Sequence, residues 1–117
     1  MLTSAAGAGI YAGAGWFGAL VEAARAAVPE AAFETRLDCG EDAGAALAAI
    51  RSGIETVVFV GRPDVAARLA DIAERHGVRL STERPVAALD LEGEFLADPA
   101  RLRRRCAELL ASFRPLC

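Results

Sequence analysis

The chain contains no lysine, no asparagine and no glutamine, so all 13 of its basic residues are arginine. Arginine here replaces lysine as the generic surface cation, and 27 alanines supply strong helix propensity. Together they indicate a GC-rich coding bias and a helix-rich structure, not a function. Histidine occurs once and cysteine three times, as Cys39, Cys106 and Cys117, with no C-x-x-C pair. That set excludes a zinc site of standard ligand spacing, so no metal is expected, and the odd cysteine count argues against a disulfide framework. Basic clusters are scarce. The net charge is −3 and the one basic run, Arg103-Arg104-Arg105, sits on a helix pattern as a solvated face. Nucleic-acid binders carry a basic footprint, so no nucleic-acid partner is expected.

Charge is also missing from one long stretch: Met1 to Val21 has no charged side chain. This matches the ~20 residues that a bilayer span requires. Alanine and glycine dominate it, however, and no basic residue precedes the apolar part. Neither a membrane helix nor a secretory signal is expected, and the cytoplasm is the expected location.

What is present reads as one domain over residues 1–117, long enough for a single core without metals or staples. Apolar residues at Phe17, Leu20, Val21, Ala24 and Val28 follow helical steps, and Pro29 stops that helix. Ala32 to Leu37 alternates, which predicts a strand with one wet face near a sheet edge. Asp42 to Ser52 predicts a short helix with Leu47 and Ile50 inward and Gly53 as its C-terminal cap. Thr56 to Val60 is apolar on both faces and predicts the central buried strand. Pro63 and Asp64 open a helix striped by Val65, Leu69 and Ile72, closed by Gly77.

Val78 to Ser81 is a short strand candidate, and Val86 to Leu91 a further extended piece. Asp98 and Pro99 start a last helix, striped by Leu102, Cys106, Leu109, Leu110 and Phe113. The first strand is either Met1 to Ala5 or Ala8 to Ala12. Repeated strand–helix order implies right-handed crossovers and parallel strands. The expected fold is therefore α/β and three-layer: a mostly parallel sheet of four to five strands with helices on both faces, flavodoxin-like or Rossmann-like.

Gly13-Ala14-Gly15-Trp16-Phe17-Gly18 matches G-x-G-x-x-G ahead of the first helix, and Asp38 lies 20 residues past Gly18. The stretch Ile10 to Asp38 thus resembles the first βαβ unit of Rossmann dinucleotide-binding oxidoreductases. Glu83-Arg84-Pro85 is similar to the Glu-Lys-Pro that follows a strand in the glucose-fructose oxidoreductase type. The resemblance implies that the glycines form a turn admitting a pyrophosphate and that Asp38 accepts from ribose hydroxyls. It does not extend along the whole chain, and a plain glycine-rich turn before a helix accounts for the same residues.

In a doubly wound sheet the loops at the carboxyl ends of the strands share one edge, where ligands bind. That edge would gather Tyr11, Trp16, Asp38, Cys39, Glu41, Asp42, Arg62 and Glu83. Arg62 would contact a phosphate or carboxylate, or else pair with Asp38 or Glu41. Cys39, at a helix N-terminus, is either a thiol of lowered pKa or a small buried residue. Trp16 lines a pocket or packs in the core. His76, ending a helix, falls at the opposite edge and favours the helix C-terminus as a weak cation.

Two functions follow. One is a domain binding a small anionic, possibly nucleotide-like metabolite through Gly13, Gly15, Trp16, Asp38, Cys39 and Arg62. The other is a non-catalytic structural or protein-interaction module acting as a homo-oligomer, in the simplest case a dimer. No motif names a reaction, a catalytic residue or a cofactor.

Overall fold

In the computed structural model the described residues are 1–87, 89–91 and 98–112. The chain forms two compact units, Met1–Arg84 and Pro85–Cys117. All four strands lie in the first unit, joined into one sheet in the order β1-β2-β3-β4. They are β1 (Leu2–Thr3), β2 (Thr35–Asp38), β3 (Thr56–Val58) and β4 (Arg79–Ser81). Every neighbouring pair is parallel, with Leu37 opposite Val57 and Val57 opposite Leu80. Helices α1 (Ala8–Tyr11) and α2 (Gly13–Ala27) connect β1 to β2. Helix α3 (Ala43–Arg51) connects β2 to β3, and α4 (Pro63–Arg75) connects β3 to β4. This is the α/β architecture with a parallel sheet that the alternating pattern predicts.

The connecting helices form where their end signals stand. Asp42 has extended backbone and its carboxylate accepts from the Ala45 N–H at 2.9 Å, which caps α3. Pro63 occupies the first turn of α4, where its missing N–H costs nothing, and Asp64 meets the positive end of the helix dipole. His76 closes α4, its Nδ1 2.9 Å from the Ile72 carbonyl oxygen.

The core lies between the sheet and these helices. Leu37, Val57 and Phe59 of the sheet meet Phe17 of α2, Ala46, Ala49 and Ile50 of α3, and Ala66, Leu69 and Ala73 of α4 in one cluster. Right-handed crossovers that all step the same way along a sheet put their helices on one face, and α2 touches α3 as α3 touches α4. The other face carries Arg36, Asp38, Thr56 and Val58, by the alternation of strand side chains. Asp38, Thr56 and Val58 are themselves buried, so both sides of β3 are covered, as its unbroken apolar run predicts.

The N-terminal third departs most from expectation. Of the two places considered for the first strand, Leu2–Thr3 is extended and Ala8–Tyr11 is helical. Helix α2 begins at Gly13, so the glycine-rich segment is its first turns and not a turn ahead of it. A Cβ added at Gly13, Gly15 or Gly18 would meet nothing within 4 Å. Phe17 faces the core, whereas Leu20 and Val28 of the expected stripe are exposed.

In the second unit, α5 (Pro99–Ser112) starts where Asp98 accepts from the Ala100 N–H at 3.1 Å. Leu102, Cys106 and Leu109 are half-buried, Leu110 is exposed, and Phe113 lies outside the described residues. The described residues of Val86 to Leu91 form no strand. No helix among the described residues is long and apolar enough to cross a membrane.

Candidate functional site

A parallel sheet sends all its strand-to-helix loops to one edge, and in this chain those loops converge on Asp38. β2 ends at Asp38, whose side chain points to the face away from α2–α4 and is only 3% exposed. Buried charge demands compensation, and the neighbouring loops supply it. The Gly7 N–H, after β1, donates to Oδ1 at 2.9 Å, and the Gly40 N–H donates to the same oxygen at 2.8 Å. Arg84, after β4, donates through Nε to Oδ2 at 2.8 Å and through Nη2 to Oδ1 at 3.2 Å. The Asp38 N–H in turn donates to Ser4 Oγ at 2.9 Å. One carboxylate thus ties together the loops after three strands.

Two glycines make this clasp possible. Gly7 and Gly40 have φ of +72° and +57°, a region glycine enters without strain. In that conformation both amides donate to Asp38. Close approach matters one step further out, where a Cβ on Gly9 would lie 2.5 Å from Cys39 Sγ and 3.2 Å from the Asp38 carbonyl oxygen. Helix α1 rests directly on this loop.

Burial by itself pushes the Asp38 carboxyl up, and it is the largest single influence. The hydrogen bonds from Arg84, Gly7 and Gly40, with the charge of Arg84, together outweigh it and hold the group below the ordinary aspartate value. Cys39 shows the opposite balance. It is fully buried, and burial followed by the negative charges of Asp38 and Asp42 pushes its thiol up to about 11. The lowered pKa entertained for a cysteine at a helix N-terminus is corrected: Cys39 is a protonated core residue at neutral pH.

Above the clasp lies an open cleft of about 780 Å³, lined by Ala6, Gly7, Ile10, Gly40, Glu41, Asp42, Ala43, Val60 and Arg84. These residues follow all four strands. Arg84 spends two of its nitrogens on Asp38 and, with its side chain 47% exposed, keeps further N–H groups for the cleft. Among the described residues it is the one cation in the lining, beside the carboxylates of Glu41 and Asp42. No group of three or more histidine, cysteine or acidic residues suited to a metal ion occurs among the described residues.

Of the residues singled out in the sequence, Asp38, Cys39, Glu41 and Asp42 stand at this edge, Asp38 as the clasp, Cys39 beneath it and the two acidic residues in the cleft lining. Gly13 and Gly15 lie in α2, and Trp16 lines a separate apolar groove with Leu2, Leu20 and Phe33. Arg62 pairs with neither Asp38 nor Glu41. Its exposed guanidinium donates to Asp64 at 3.0 Å. Arg84 holds the place considered for Arg62, and its signal was the Glu83-Arg84-Pro85 triplet that follows β4.

The strands run in sequence order, without the reversal that marks the ligand crevice of the 3-2-1-4-5-6 and 2-1-3-4-5 sheets. No protein family, curated protein or solved structure matches the chain.

Proposed function

We propose that the protein binds a small anionic metabolite bearing hydroxyl groups, nucleotide-like in chemistry, in the cleft at the carboxyl edge of the sheet. The observation that carries this reading is the composition of the cleft wall: one arginine with unspent donors, two carboxylates, and small residues that leave room. Arg84 faces the anionic group of the ligand. Glu41 and Asp42 accept from its hydroxyls, which explains a site whose carboxylates outnumber its cations. The first turn of α3 adds a positive dipole end on the same wall.

The test is titration with AMP, ribose 5-phosphate and inorganic phosphate, followed through the backbone amides of Gly7, Gly40 and Ala43. Saturable shifts at these amides are expected for AMP and ribose 5-phosphate, weakening with salt because screening shortens to ~8 Å at physiological ionic strength. Ala43→Glu separates binding from folding. The position is exposed and begins α3, where an acidic side chain suits the helix dipole, yet it places a third carboxylate in the cleft. It should weaken binding by about tenfold or more and leave the melting temperature unchanged or higher. Absence of saturable shifts at millimolar ligand would overturn the proposal.

A further inference from the structure

Among the described residues no strand pairs with the outer side of β1, and its surroundings are apolar. Leu2, Trp16 and Leu20 are 56%, 49% and 49% exposed, and they line a single groove of about 220 Å³ with Phe17, Val21 and Phe33. Edge strands are ordinarily guarded by shortness, charge, proline or a bulge; β1 is short, two residues, but carries no charged side chain, proline or bulge. The Leu2 and Ser4 N–H groups donate across to Glu34 and Arg36 of the β2 side. By the alternation of a strand, the N–H and C=O of Thr3 point outward.

From this we infer that two copies of the chain associate through β1, antiparallel across a two-fold axis at Thr3, joining two four-stranded sheets into one of eight strands. Three observations select a second copy as the occupant. Thr3 offers one outward donor and one outward acceptor, so its two-fold mate satisfies both at once. α2 packs on the same face of the sheet as α3 and α4, so two-fold pairing of β1 sets α2 against its own copy, Trp16 and Leu20 meeting their equivalents, as an isologous contact requires. Finally, Met1 to Val21 has no charged side chain, so no charged side chain of β1 or of the first half of α2 opposes its own copy across the axis. The three large side chains present on the order of 300 Å² of apolar surface, the size of the largest patch on a typical monomer. That is under half of the roughly 800 Å² per partner of a standard interface, so the polar rim around it must supply the rest and the dimer is a weak one.

Sedimentation of the full chain tests this. A dimer is expected at about 50 µM, dissociating on dilution, with Trp16 emission shifting to the red at the same midpoint. Leu20→Asp and Thr3→Pro should each give a monomer. Leu20 is half-exposed, and Thr3 contributes no N–H to the β1–β2 ladder, so neither change removes a bond within the sheet. Val86→Asp, on a fully exposed side chain outside this groove, adds the same charge and should leave the dimer intact. A strict monomer for the unmodified chain would overturn the inference. So would a dimer that survives both variants with Trp16 emission unchanged.

Discussion

Asp38→Ala is expected to lower stability by roughly 2–5 kcal/mol in denaturant melts, because it leaves the Gly7 and Gly40 N–H groups without their shared acceptor. The ion pair itself contributes the smaller part. Arg84 is about half exposed, and an orphaned guanidinium there rehydrates, so the attraction it loses is that of a partly solvated pair. The Gly40 amide, buried beside Asp38, and the half-buried Gly7 amide rehydrate less readily. Arg84→Met leaves the buried carboxylate to the two glycine amides, so it should cost roughly 1–3 kcal/mol, less than the loss at Asp38. Equal losses for the two variants would assign the stability to the ion pair instead.

The same clasp fixes a pH dependence. The carboxyl of Asp38 is held below its unfolded value, so the folded state binds its proton less readily than the unfolded chain. Its contribution is complete above the unfolded value of about 3.9. It is lost as pH falls through the folded value. Acid unfolding of Asp38→Ala should accordingly be shallower than that of the unmodified protein below about pH 4.

Leu69→Ala is expected to cost roughly 2–5 kcal/mol. Leu69 is 5% exposed and faces the sheet from α4 among Ala66, Ala73 and Phe59. On that helix Ala66 and Ala73 flank it within the core, with Val65 and Ile72 at the partly buried margin. A loss below about 1 kcal/mol would mean that α4 packs through a different stripe.

Local signals were legible wherever they were strong. Asp42, Pro63 with Asp64, and Asp98 with Pro99 each mark a helix start that the structure shows, since capping depends on residues within one turn. The Val-rich run at Thr56 placed β3 inside the sheet for a similar reason, as residues apolar on both faces need cover on both. Met1 to Val21 offered no such contrast. Alanine and glycine carry little side-chain hydrophobicity and no charge, so neither a two-residue nor a 3.6-residue period stands out. β1 is extended because β2 supplies its hydrogen-bond partners, which is a tertiary fact. Trp16 and Phe17 illustrate how fine the distinction is: one residue, or about 100° of helix, separates the groove from the core.

The site was half legible. Asp38 was singled out for its position after a strand, and it does stand at the carboxyl edge. Its partners were not evident, because Gly7 and Arg84 lie 31 and 46 residues away in sequence. No local rule connects a left-handed glycine after one strand and an arginine after another to a carboxylate between them. Only the parallel register, which brings all the carboxyl ends to one side, makes the three meet.

The claim on which the cleft and its clasp rest is that Asp38 is a charged, hydrogen-bonded hub, its carboxylate held by Arg84, Gly7 and Gly40. The carbon-13 shift of its side-chain carboxyl, followed by NMR across the acid range, tests this most directly. It should titrate below the ordinary aspartate value of 3.8 in the unmodified protein and move upward in Arg84→Met, as burial then acts with less opposition. A carboxyl that titrates at or above 3.8 and does not respond to the loss of Arg84 would contradict it.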